Sequence, residues 1–136
     1  MIMTKRALLI SLCIILVIAL ITGLPLVWYY WIRPLQVDDF VLEDYAYYLE
    51  EFSSKKIVGA ITNASDAREK GVAVLTDVYS KDVILGEKPF VVNYDENTDS
   101  WLISGSKPPV PFMLGGTAHI IINGSDGNVL AIWHEK

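Results

Sequence analysis

Apolar and polar positions divide the chain into two unlike parts. From Ala7 to Ile32 no charged residue occurs, and 26 residues at helical rise reach about 39 Å, more than the roughly 30 Å of a bilayer's hydrocarbon core. This run predicts a transmembrane helix that spans with tilt. Beyond it, Val41, Tyr45, Tyr48, Leu49 and Phe52 recur at three- and four-residue steps within 37–52, which predicts an amphipathic helix with Asp38 or Asp39 at its start. Ser53 to Gly59 reads as a short linker. Ser65-Asp66 with Glu69 after it predicts the start of a second helix, whose apolar face runs through Ala67, Val72, Val74, Leu75 and Val78 to about Ser80. Period-two and β-branched runs follow. They predict a short edge strand over 83–85, a hairpin of 88–94 with 101–105, and a final hairpin of 117–123 with 128–134 around Gly124-Ser-Asp-Gly127. The three prolines within Lys107 to Pro111 exclude a central strand there. One helix followed by antiparallel strands is an α+β pattern.

The flanks of the apolar run orient it. Lys5 and Arg6 precede it, whereas only Arg33 follows before Asp38, Asp39, Glu43 and Asp44, so the positive-inside rule puts the N-terminus in the cytoplasm and the domain outside. Trp28, Tyr29, Tyr30 and Trp31 suit the outer headgroup layer, and Pro34 suits the helix end. A cleaved signal peptide has a shorter apolar core, about 7 to 15 residues, ending in small residues rather than four aromatics. The reading is a single-pass cell (inner) membrane protein: tail 1–6, span from Ala7 to Ile32, acidic juxtamembrane helix and linker 33–60, and an α+β domain 61–136.

Composition narrows the function classes. Sixteen acids against eleven bases give a net charge of −5, which disfavours nucleic acid as a partner. The one cysteine, Cys13, lies inside the apolar run, where packing against lipid or another helix accounts for it. It excludes an internal disulfide, a CxxC motif and a four-cysteine zinc site.

Along the second half, a helix ending Asp77-Val-Tyr79 precedes Glu87-Lys-Pro-Phe90, Trp101-Leu-Ile-Ser-Gly105, Leu114-Gly-Gly116, Asp126-Gly-Asn-Val-Leu130 and His134. This ordered set resembles the nuclear-transport-factor-two-fold immunity proteins of bacterial polymorphic toxin systems. Ser80 and Glu135 depart from glycines common in that family, and the loop before Leu114 is longer and richer in proline. The resemblance implies a non-catalytic protein that neutralises a toxin by contact. The run Ile120 to Leu130 is also similar to the last hairpin of PepSY modules. That alternative implies a cystatin-like sheet binding a peptide or modulating an envelope enzyme.

Candidate chemistry is sparse. His119 and His134 fall on neighbouring strands, but two ligands are too few for catalytic zinc, which takes three protein ligands and a water. Asp77, Tyr79 and Tyr94 are the available acid and hydroxyl groups for an isomerase-like cone, and fold analogy alone assigns no activity to them. Gly115-Gly116 lacks the Lys-Ser/Thr of a phosphate loop. The expectation is no catalytic, cofactor or metal site. Its partners are expected to be the lipid bilayer and a protein, either a toxin or another envelope protein. The candidate contact residues are Asp95, Glu96, Asp99, Lys107, Phe112 and His119, on the concave sheet face and its loops.

Overall fold

The computed structural model describes residues 4–29, 35–107 and 115–136. Two units are distinguished, Met1–Pro34 and Leu35–Lys136. In the first, α1 (Lys5–Val27) begins at Thr4, whose hydroxyl accepts the Ala7 N–H at 3.3 Å. No residue of α1 is buried, and its length and composition suffice to cross a membrane. Thr22 turns its hydroxyl back to the Ile18 carbonyl at 2.8 Å, which satisfies a polar side chain within the helix itself. The expected end of the span at Ile32, the rings of Tyr30 and Trp31, and Pro34 lie outside the described residues.

The second unit is built on a five-stranded sheet: β1 (Val37–Asp39), β2 (Val91–Asp95), β3 (Ser100–Ser104), β4 (Ala118–Asn123) and β5 (Val129–His134), in that spatial order. β2 to β5 form an antiparallel meander, and β1 lies parallel to β2. The sheet is therefore mixed, within an α+β architecture. Strand alternation sends Val92, Ile103, Ile120 and Ile122 to one face, against Ala67, Val74 and Leu75 of α3 (Ala64–Tyr79) and Ile84 of α4 (Lys81–Leu85). The opposite face carries Leu102, Ile121, Ala131 and Trp133, covered by Phe40, Leu42, Tyr45, Tyr48 and Leu49. Each fully buried Ile or Leu contributes about 1.5–3 kcal/mol, so both faces matter to stability.

Four elements differ from the sequence pattern. Residues 37–52 are not one helix but β1, a 3-10 turn (Leu42–Tyr45) and the short α2 (Ala46–Glu51). The Asp95 carboxylate, 53 positions away, accepts the Leu42 N–H at 2.9 Å and starts the turn, a long-range bond that local periodicity does not reveal. Tyr45, Tyr48 and Leu49 still pack on the sheet, while Val41 and Phe52 remain exposed. Residues 83–85 belong to α4 instead of an edge strand: Ser80, at φ +85°, ends α3, and one helical turn then brings Ile84 alone inward. The cap of α3 is Asn63, whose side chain accepts the Asp66 N–H at 2.9 Å, two positions before the Ser65 expected from the pattern.

The fourth difference is the segment expected as a linker, which closes the outer edge of β5. Ile132 and Val129 donate their N–H groups to the carbonyls of Phe52 and Lys56, and Val58 donates to Gly127. An otherwise open edge is thereby covered. In the last hairpin only Gly127 takes positive φ (+72°); at Gly124 a side chain would overlap the Asp99 carboxylate.

Candidate functional site

The residues of the ordered motif set are dispersed in sequence and meet at one end of the sheet. Glu87, 8% exposed, leaves the turn after α4 and directs Oε2 to the Ala118 N–H at 2.9 Å and Oε1 to His134 Nε2 at 2.7 Å. The His134 ring meets Tyr79 edge to face, with centroids 5.4 Å apart. His134 Nδ1 lies 2.6 Å from the Glu135 carbonyl. Burial, and then the Glu87 carboxylate, raise the Tyr79 hydroxyl above its ordinary range, so it stays a neutral phenol.

Two glycines make this approach possible. A Cβ on Gly105 would stand 2.6 Å from Glu87 Oε2, and one on Gly116 would overlap Glu135. Backbone bonds complete the frame: Ser106 N–H to the Glu87 carbonyl, Gly105 N–H to that of Ala118, and Glu135 N–H to that of Thr117. Tyr79, Glu87, Gly105, Gly116 and His134 thus bring α3, the turn after α4 and the ends of β3, β4 and β5 together.

His119 takes a different place. Although His119 and His134 stand on paired strands, the register sets His119 opposite Trp133, and alternation sends the two rings to opposite faces. The His119 ring lies 5.0 Å from Trp133 at 13°, Nδ1 is 2.8 Å from Ser104 Oγ, and Nε2 is 3.2 Å from Thr117 Oγ1 and 3.3 Å from a Glu135 oxygen. A carboxylate only accepts, so the Glu135 contact places the proton on Nε2 and leaves Nδ1 to accept the Ser104 hydroxyl. Burial lowers the His119 pKa below its usual value and outweighs the opposing pull of Glu135 and Glu87, which keeps the ring neutral at pH 7. Among the described residues no group of three or more His, Cys, Asp or Glu is arranged to hold a metal.

The other expected contact residues separate. Asp95 is 5% exposed and accepts N–H bonds from Leu42 (2.9 Å) and Asn97 (3.0 Å); the Leu42 bond above all lowers its pKa. Asp99 accepts the Tyr94 hydroxyl at 2.9 Å and the Ser125 hydroxyl at 2.5 Å, joining two hairpin turns. Glu96 and Lys107 are exposed, and Phe112 lies outside the described residues. Of the members of these clusters, Trp133 carries no signal in the sequence, whereas Glu87 and Ser104 stand in the ordered set and Glu135 departs from it. The signal for Glu87 was its place beside the later glycines in the ordered set.

Comparison with known proteins matches residues 71–136 to the model of a family described as NTF2 fold immunity protein. No curated protein and no solved structure matches the chain. The matched span begins inside α3 and takes in Tyr79, Glu87, Gly105, Gly116, His119 and His134.

Proposed function

We propose, from the match of residues 71–136 to the NTF2 fold immunity protein family, that the chain is a membrane-anchored, non-catalytic binding protein that neutralises a cognate bacterial toxin by direct contact. The family match is the observation that carries this reading. The engagement of both histidines within the chain supports it, because His134 is held by Glu87, and His119 by Ser104, Thr117 and Glu135. Groups so occupied hold a surface in shape, and a rigid surface loses less freedom on binding. The anchor reading rests on α1, with Lys5 and Arg6 at its cytoplasmic end and the domain extracytoplasmic in a single-pass inner-membrane topology. A tether of this kind concentrates the binding surface where a toxin crosses the envelope.

The test is protection in cells. A susceptible bacterium expressing the cognate toxin should grow when the full chain is co-expressed. It should still grow with His119→Gln, provided that variant is folded. Growth arrest despite normal levels of folded, membrane-located protein would overturn the reading.

A further inference from the structure

The acids are unevenly placed. Residues 37–52 hold Asp38, Asp39, Glu43, Asp44, Glu50 and Glu51 and no base, which leaves ten acids against eleven bases in the rest of the chain. All of the net negative charge is therefore concentrated in this one segment, which lies outside the family match. Two exposed rings stand in its C-terminal third. Tyr47 is 65% exposed and Phe52 39%, with centroids 6.3 Å apart at 77°. The rings of Tyr45, Tyr48 and Trp133 belong to the covered sheet face, whereas Tyr47 covers nothing in that core.

The pair rests on a firm base. Phe52 stacks on Tyr48 at 6.1 Å and 27°, and Tyr48 stacks on the buried Trp133 at 4.4 Å and 25°. Tyr47 meets Tyr48 edge to face at 5.4 Å. Aromatic side chains fixed in this way offer contact area with little rotamer freedom left to lose. Glu43 and Asp44 lie one turn before Tyr47, and Glu50 and Glu51 one turn after; all four are exposed.

We propose that the Tyr47–Phe52 pair, framed by Glu43, Asp44, Glu50 and Glu51, is the docking surface for an arginine-bearing basic patch on the protein toxin. The proposal rests on the immunity reading and deepens it by naming the partner's chemistry. A guanidinium can lie on a ring face while pairing with a neighbouring carboxylate, a combination that the more strongly hydrated ammonium of lysine makes less well. The same charge argues against other occupants. A second copy would bring six like charges to the same face, and anionic lipid would be repelled.

The test uses the full chain in uncharged detergent micelles, with hexa-arginine and hexa-lysine as probes at low salt. Amide shifts on adding hexa-arginine should centre on residues 43–52. Tyr47→Ala, at an exposed position, should weaken hexa-arginine about threefold and hexa-lysine less. The double variant Glu43→Lys, Asp44→Lys should weaken both about tenfold and flatten the salt dependence. Shifts centred on the 95–99 turn, an unchanged hexa-arginine affinity in Tyr47→Ala, or a dimer of the native chain that Tyr47→Ala abolishes would each overturn the proposal. Undiminished protection by Tyr47→Ala against a toxin that the native chain neutralises would also overturn it, while leaving the immunity reading in place.

Discussion

Two side chains show how single residues set the balance of this domain. Trp133 is 3% exposed and lies between the Tyr48 ring and the His119 ring, so Trp133→Ala removes the centre of one sheet face. A loss of about 3–5 kcal/mol is expected, read from the urea midpoint of the full chain in detergent. Glu87 poses a hydrogen-bonding question. Alanine there strands the Ala118 N–H and the His134 ring, and should cost about 1–3 kcal/mol, whereas Glu87→Gln keeps an acceptor and should cost less. His119 adds a pH dependence. Its folded pKa lies below the unfolded value of 6.5, so its contribution is fully present above pH 6.5 and is lost as the pH falls towards the folded pKa. Thermal unfolding of the native chain between pH 7 and 5 should therefore show a decline that His119→Gln reduces. The lowered Asp66 and Asp95 carboxylates act in the same direction, but only below their usual range, near 3.8.

At the scale of elements, the stability of the sheet depends on a segment that precedes the matched family region. Phe40, Leu42, Tyr45, Tyr48 and Leu49 cover Leu102, Ile121 and Trp133, so a chain beginning at Ser54 should melt well below one beginning at Leu35. Equal melting temperatures would remove the packing account. Gly127→Ala should also destabilise, because φ is +72° there and a Cβ would overlap the Gly59 backbone. How much of this the sequence shows depends on how far each signal reaches. Strands 100–104, 118–123 and 129–134 were legible because alternation and turn glycines are local properties. The 3-10 turn and β1 were not, since the Asp95 bond to Leu42 and the parallel pairing with β2 join distant segments. For 83–85, three apolar residues in a row fit a strand or one helical turn equally well, and Ser80 at φ +85° decided for the turn. The site was partly legible. The ordered set contained Glu87, Gly105, Gly116 and His134, but only the fold shows that they touch, and that His119 and His134 occupy opposite faces.

In the whole molecule, an N-terminal apolar helix precedes the residues that match the immunity-protein family. Alkaline phosphatase fused after Lys136 should be active in a bacterial host if, as proposed, the Lys5 and Arg6 flank keeps the N-terminus inside. An inactive fusion alongside an active cytoplasmic reporter would reverse that orientation. The central claim, neutralisation by occupancy rather than turnover, is tested most directly by titrating the purified full chain against a fixed amount of its cognate toxin and following the toxin's activity. At concentrations well above the dissociation constant, binding predicts a linear fall that ends at a fixed whole-number ratio and does not deepen with time. Complete and progressive loss of toxin activity at a small fraction of that ratio would mean that each molecule acts repeatedly, and would contradict the account.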